Sequence, residues 1–299
     1  VSGGTYSVSS GDDGIHADGN VTISGGSIDI LKSYEGIEGL SIDITGGELS
    51  VLASDDGMNA AGGNDNSGLE GPGAGGDQFT ATEGAYIHIA GGKLLVNASG
   101  DGIDSNGDLT VSGGETYVSG PVNSGNGTLD YSGSAVVTGG SFAASGASGM
   151  EQNFDSSSTQ GVMMVNVEEQ EAGTAIALLD GNGNELLSWT AEKAYSSVII
   201  SCPEITEGGT YTVKAGETEQ SITMVGHTGS IPAAVQAVET VDRCLGEVLA
   251  AAEEAVIEET GTMVVCRENR EDRRQGIWRS RRRILRRMSH QIMERKTEV

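Results

Sequence analysis

Gly100-Asp101-Gly102-Ile103-Asp104-Ser105-Asn106-Gly107-Asp108-Leu109-Thr110-Val111-Ser112-Gly113-Gly114 reads as an acidic turn kinked by glycine, an alternating strand and a Gly-Gly pair. The same phrase stands at Gly11-Asp12-Asp13-Gly14-Ile15-His16-Ala17-Asp18-Gly19-Asn20-Val21-Thr22-Ile23-Ser24-Gly25-Gly26. Shortened versions follow at Tyr34-Glu35-Gly36-Ile37-Glu38-Gly39 and Asp55-Asp56-Gly57-Met58-Asn59. A chain that repeats a phrase at fixed spacing builds one small unit per repeat and buries its core by stacking neighbours.

Gly-Gly pairs fall at 3–4, 25–26, 46–47, 91–92, 113–114 and 139–140, in steps of 22, 21, 45, 22 and 26 residues. The step of 45 holds two turns and an insertion, 62–83, whose Gly, Asn and Asp content reads as a surface loop. A period near 22 with two or three short strands predicts a coil of parallel β-helix, its strands stacked roughly 4.8 Å apart. Val21-Thr22-Ile23, Ile28-Asp29-Ile30, Ile42-Asp43-Ile44, Leu49-Ser50-Val51, Ile87-His88-Ile89, Leu94-Leu95-Val96 and Leu109-Thr110-Val111 mostly alternate apolar with polar, so their apolar members face inward. Ile15, Ile37, Met58 and Ile103, each after a turn glycine, form a further inward column. Helical periodicity is absent before residue 150.

Composition supports a stacked core. Only 4% of the 299 residues are aromatic while 47 are glycine, so the interior rests on Val, Ile, Leu and Ala. The net charge of −26 is unevenly spread. Twelve of the 17 basic residues but five of the 43 acidic ones lie in 267–299, leaving residues 1–266 at a net −33. That surface repels nucleic acid and anionic membranes and suits cations.

Three units follow. Residues 1–160 form the parallel β-helix of six or seven coils. Residues 161–228 carry longer strand candidates split by Asp180-Gly181-Asn182-Gly183 and Glu207-Gly208-Gly209, a small antiparallel, sandwich-like unit. Residues 229–299 are atypical, Ala/Glu-rich and then Arg-rich, and read as helical or disordered. From 233 onward they hold 3 glycines against 44 before, and Glu, Ala, Val, Arg and Trp are what glycine codons give when read one base off. The expectation is a Gly-rich terminus read out of frame after about Ile231, with a basic arm as the alternative. Cys202, Cys244 and Cys266 have no metal-site spacing. No apolar run is long enough to span a membrane, and the start at Val1 within a repeat suggests that a signal or anchor lies upstream.

Stacking the coils aligns Asp13, Glu35, Asp56 and Asp101 in one column and His16, Glu38, Asn59 and Asp104 in a second. Carboxylates one strand spacing apart repel, which raises a pKa or recruits a cation. Calcium takes 6–8 oxygens, and Gly-rich turns add carbonyls to these carboxylates. Asp12, Asp13, Asp18, Glu35, Glu38, Asp55, Asp56, Asn59, Asp101 and Asp104 are the candidate ligands. Each Asp-Gly is also an ordinary turn former, and His16 and His88 read as surface strand residues rather than ligands. Asp12-Asp13 and Asp55-Asp56 offer paired carboxylates of the kind glycosidases use. A lyase needs a strong base, however, and residues 1–161 contain only Lys32 and Lys93 and no Arg. No catalytic residue is expected. Tyr34, Tyr86 and Tyr117 are candidate sugar platforms, with Tyr6 and Tyr131 behind them.

With its Asp-Asp-Gly-Ile-His-Ala-Asp-Gly and Ser-Gly-Asp-Gly-Ile-Asp-Ser-Asn-Gly phrases, the chain resembles the bacterial carbohydrate-binding domain proteins first recognised in cellulolytic clostridia. The resemblance covers about residues 1–228, and departs from the pattern in the tail and in the 115–160 coils, which lose the acidic pairs. It implies a secreted or cell-surface, right-handed, calcium-binding parallel β-helix similar in shape to pectate lyases. It also implies binding of cellulose- or pectin-type polysaccharide without catalysis; a monomer is expected, and an acidic polyuronate would be held through bridging calcium. The rival readings are a surface adhesin or structural solenoid with protein partners, and a polysaccharide lyase or hydrolase.

Overall fold

The structure is a computed structural model that describes residues 1–61 and 81–231, all within the first of two compact units, Val1–Cys244. Most of the insertion and the tail from 232 on lie outside the described residues. The described residues are all-β, a parallel β-solenoid of about six turns followed by a small antiparallel sheet.

The solenoid strands are β1 (Ser2–Ser9), β2 (Ile15–Ser33), β3 (Ile37–Ala53), β4 (Met58–Ala60), β5 (Tyr86–Ala98), β6 (Ile103–Ser105), β7 (Asp108–Ser119), β8 (Leu129–Tyr131) and β9 (Ala135–Gly146). Each pairs in parallel with the coil above and below. Register puts like residues on top of one another. Val21, Ile42, Ile87, Leu109 and Ala135 form one inward column, and Ile23, Ile44, Ile89, Val111 and Val137 a second. Ile28, Leu49, Leu94, Thr116 and Phe142 form a third, and Ile30, Val51, Val96, Val118 and Ala144 a fourth. Nearly all of these residues are fully buried. The alternation in the sequence exists because side chains leave a strand on opposite sides, so every second residue enters the coil.

Glycine marks the corners for steric reasons. In the Gly-Gly pairs the second glycine has a φ of +82 to +104°, in the left-handed region. A Cβ on the first glycine of a pair meets a carbonyl oxygen of the coil above, at 2.6 Å from Gly91 and 2.4 Å from Gly113. The acidic turn is equally tight: a Cβ on Gly36 would lie 2.2 Å from the Gly57 oxygen, and one on Gly57 2.6 Å from the Gly102 oxygen. Both repeated glycines are therefore demanded by the stacking of backbone on backbone.

Residues 161–231 do not form a detached unit. β10 (Val162–Gln170), β13 (Tyr195–Ser201) and β16 (Thr228–Ile231) extend the solenoid's own sheet. β13 runs antiparallel against β9, β10 antiparallel against β13, and β16 parallel to β10. β11 (Ala175–Leu179), β12 (Glu185–Thr190), β14 (Thr210–Ala215) and β15 (Thr218–Thr223) make a separate antiparallel sheet in the order β12-β11-β14-β15. Its apolar face (Ile176, Leu178, Val213) shares a core with Met163 and Val165 of β10 and with Val198 and Ile200 of β13. The expected sandwich thus borrows one of its layers from the solenoid. Below the last coil Phe154 meets Phe142 edge-on at 5.2 Å, and the Asp155 amide donates to the Ala135 carbonyl at 2.7 Å, closing the core.

Candidate metal centre

The acidic corner stacks as a ladder of backbone hydrogen bonds. The amides of Gly14, Gly36 and Gly57 each donate to the carbonyl of the acidic residue one coil on, Glu35, Asp56 and Asp101, at 2.9 Å. Three residues later the chain enters the corner strand, where His16 is in register with Glu38, Glu38 with Asn59, Asn59 with Asp104, and Asp104 with Asp130. Both columns expected from the sequence are present. The second continues one coil further, to Asp130, which keeps the aspartate but not the Asp-Gly turn before it.

What the sequence did not disclose is how the two columns meet. The turn residues and the strand residues converge, so the ligand atoms group in alternating fashion. Asp13, His16 and Glu38 bring their donor atoms within 4.8 Å of one another, and so do Asp56, Asp101 and Asp104. Between these groups the Asn59 Nδ2 donates to the Glu35 Oε1 at 3.0 Å. Glu35, Glu38, Asn59 and Asp101 are all buried, with 0–5% of their surface exposed.

The electrostatics follow. Burial, then the charges of Asp101, Asp104, Asp55 and Glu35, hold the Asp56 carboxyl well above the usual carboxylate range. Two carboxylates within 4.8 Å repel by about 3 kcal/mol at an effective dielectric of 20. One net hydrogen bond returns only about 1 kcal/mol. Protein donors offset part of the charge: the Asp101 amide donates to Asp56 Oδ1 at 2.6 Å, and the Gly127 amide donates to Asp101 Oδ1. Asn59 Oδ1, on a side chain 5% exposed, has no donor. A cation among the Asp56, Asp101 and Asp104 oxygens would offset that repulsion.

The remaining expected ligands lie at the margin. Asp12 is exposed on the outer turn and Asp18 reaches the distal side of His16. Asp55 accepts a hydrogen bond from the Tyr34 hydroxyl, which that bond, burial and the neighbouring acids push well above its ordinary pKa. The tyrosines are engaged as well. The Tyr86 hydroxyl donates to Asp43 Oδ2 at 2.8 Å, and that of Tyr131 to the Asn153 carbonyl at 2.7 Å. The Tyr117 ring lies 6.0 Å from that of Trp189, in the seam between the solenoid and the second sheet. Tyr6 is 45% exposed. His88 sits on the outer face, where its Nε2 and the Ser112 Oγ are 2.9 Å apart.

Fold and corner together define a β-solenoid with a buried acidic stack. No protein-family model matches the chain, and no solved structure does. Two curated proteins share short stretches with it. The 2,3-bisphosphoglycerate-independent phosphoglycerate mutase of Desulforudis audaxviator is 57% identical over 42 residues, 14% of this chain and 8% of that protein. The enzyme of the same name from Nostoc punctiforme is 50% identical over 46 residues, 15% of this chain and 8% of that protein. The chain thus spans 8% of the length of these curated relatives, and the likeness is much shorter than the solenoid.

Proposed function

We propose that the protein is an extracellular, calcium-stabilised solenoid that binds polysaccharide without transforming it. The observation that carries the calcium half is the Asp56, Asp101 and Asp104 group, an all-oxygen donor set inside 4.8 Å with a carboxyl held far above its normal range. Hard divalent calcium suits that donor set, to which turn carbonyls would add further oxygens. These three aspartates would hold the ion, and its charge would offset the repulsion that otherwise opposes folding of the corner. The polysaccharide half rests on the resemblance of the repeated phrases to secreted carbohydrate-binding β-helices. An acidic protein holds an acidic sugar chain through shared cations, which suits polyuronates.

The test is thermal melting of the full chain with calcium and with a chelator. A ligand that binds only the folded state adds about 2.7 kcal/mol at one hundred times its Kd. A calcium-dependent rise that Asp101→Asn removes is expected, and an unchanged midpoint sinks the calcium reading. Retention on pectin or cellulose in calcium, lost in chelator, is expected next. Retention on host protein instead favours an adhesin, and release of unsaturated or reducing ends favours a lyase or hydrolase.

A further inference from the structure

The two ligand groups of the corner are not chemically alike. Asp56, Asp101 and Asp104 offer oxygen alone, whereas Asp13 and Glu38 share their group with an imidazole nitrogen. One nitrogen of His16 faces two carboxylates at once: Nδ1 lies 3.1 Å from Asp13 Oδ2 and is in contact with Glu38 Oε2. A single ring nitrogen has one proton or one lone pair and serves one of them. The second oxygen of Asp13, on a side chain 10% exposed, is buried with no donor. On the far side of the ring, Nε2 lies 3.4 Å from Asp18 Oδ1. Asp18, 90% exposed, can accept the proton of that distal nitrogen and leave the other lone pair of the 40% exposed His16 ring to a metal.

We propose that Asp13, His16 and Glu38 form a site for a first-row divalent transition metal of the zinc type, distinct from the oxygen-only calcium site two coils away. Two carboxylates with a neutral imidazole carry a charge of −2, which one divalent ion cancels. Imidazole selects such ions over calcium, which prefers oxygen. Asp18 is a positioning residue that orients the ring. The inference extends the cation-binding reading of the corner, yet it stands or falls apart from it, because the two sites share no residue. It also changes what the His16 position signifies: a histidine in the first acidic turn and an acid or amide in the others gives the stack two kinds of guest.

Cobalt(II) is the probe. The full chain is stripped with chelator, saturated with calcium and titrated with Co²⁺ while the visible d–d bands are followed. One equivalent is expected to bind, to give ligand-field bands of nitrogen-oxygen coordination, and to be displaced by Zn²⁺ but not by excess calcium. His16→Gln and Glu38→Gln each abolish the bands, while Asp18→Asn, at an exposed partner, weakens binding by less than about tenfold. Far-UV circular dichroism checks that each variant keeps its β signal. Bands that persist in both variants, or that calcium abolishes, overturn the proposal, as does a failure to bind Co²⁺ at all. In that last case a protonated His16 is itself the counter-charge of the pair. Cobalt binding without any calcium-dependent melting shift would refute the calcium reading and leave this one intact.

Discussion

In the N-terminal coils the corner holds Asp13, Glu35, Asp56 and Asp101 over His16, Glu38, Asn59 and Asp104, whereas the last coil presents Gly127 and Asp130 at the equivalent places. Asp130 is satisfied by protein: its Oδ1 accepts from the Gln152 Nε2 at 2.8 Å. One coil earlier, Asp108 Oδ1 accepts from both the amide and the hydroxyl of Ser134 at 2.8 Å, and these bonds hold its carboxyl below the usual range. Asp56, buried among acids, moves the opposite way. One aspartate chemistry in one solenoid therefore goes up or down according to whether the neighbouring coil supplies donors or more carboxylates. At the acidic corner neighbouring coils set carboxylate against carboxylate, whereas Asp108 and Asp130 receive donors from the next coil.

That contrast breaks most visibly at Asp56. Asp56→Asn replaces a carboxyl whose ionisation beside Asp101 and Asp104 opposes folding, so the calcium-free protein is expected to gain stability at neutral pH. The same change is expected to cost most of the calcium response; unfolding in denaturant with calcium and with chelator measures both. The reverse experiment makes the quiet end resemble the acidic one. Gln152→Glu replaces a donor beside Asp130 with a second carboxylate and is expected to destabilise by about 1–2 kcal/mol. That loss should recover when the pH is lowered until one of the pair is protonated.

pH separates the halves without any mutation. A carboxyl whose folded pKa is raised favours folding below its unfolded value, about 3.9, and loses that contribution as pH rises through the folded one. Calcium-free protein should therefore weaken as pH climbs from the ordinary aspartate range through the raised pKa of Asp56, and Asp56→Asn should flatten that slope. Asp108 works in the other direction: its depressed pKa contributes above the unfolded value and is lost as pH falls through the folded one. Being exposed, it matters least. Ser134→Ala is expected to cost no more than about 1 kcal/mol, with its effect on melting confined to pH above the usual aspartate range.

His16 adds a small term of its own. Burial draws its pKa down, but hydrogen bonds to Glu38 and Asp18 and the charges of Glu38 and Asp13 outweigh that and raise it. In metal-free protein its contribution is thus complete below about pH 6.5 and fades as pH rises through the higher folded value. Zinc should replace that contribution at alkaline pH, a difference readable in melting curves.

Much of this was open to a reader of the sequence. The Gly-Gly and Asp-Gly spacings give the coil, because stacked backbones leave no room for a Cβ at those points. The Ile15, Ile37, Met58 and Ile103 column and both polar columns follow from the same period. What the period does not contain is the path of the chain around the corner, which decides that Asp13 meets His16 and Glu38 while Glu35 meets Asn59. His16 is the exposed strand residue the sequence suggests, and its pattern gives no sign of that meeting. Gln152, 22 residues beyond Asp130, did carry a usable signal, one coil length, but a lone Gln outside a recognisable repeat does not announce a partner. The cap hid for a different cause: β13 pairs antiparallel with β9, and the order of strands across a sheet is set by tertiary pairing that strand periodicity does not encode. Thr82, read as part of the inserted loop, already rejoins the stack by donating its amide to the Asn106 carbonyl.

The corner that receives the insertion has a practical meaning for protein engineering. Elsewhere the passage from corner strand to the next sheet takes only a few residues, such as Asn106-Gly107 between β6 and β7. After β4, the chain departs at Ala60 and returns at Tyr86 in register with Ser41, and Asn59 stays paired with Glu38 and Asp104. The scaffold thus tolerates a cargo of some two dozen residues at this doorway without losing its count. A peptide grafted there would enter the chain a few residues from Asn59 and its Glu38 and Asp104 neighbours, offering a port at which a fluorescent or enzymatic reporter would test the proposed cation site.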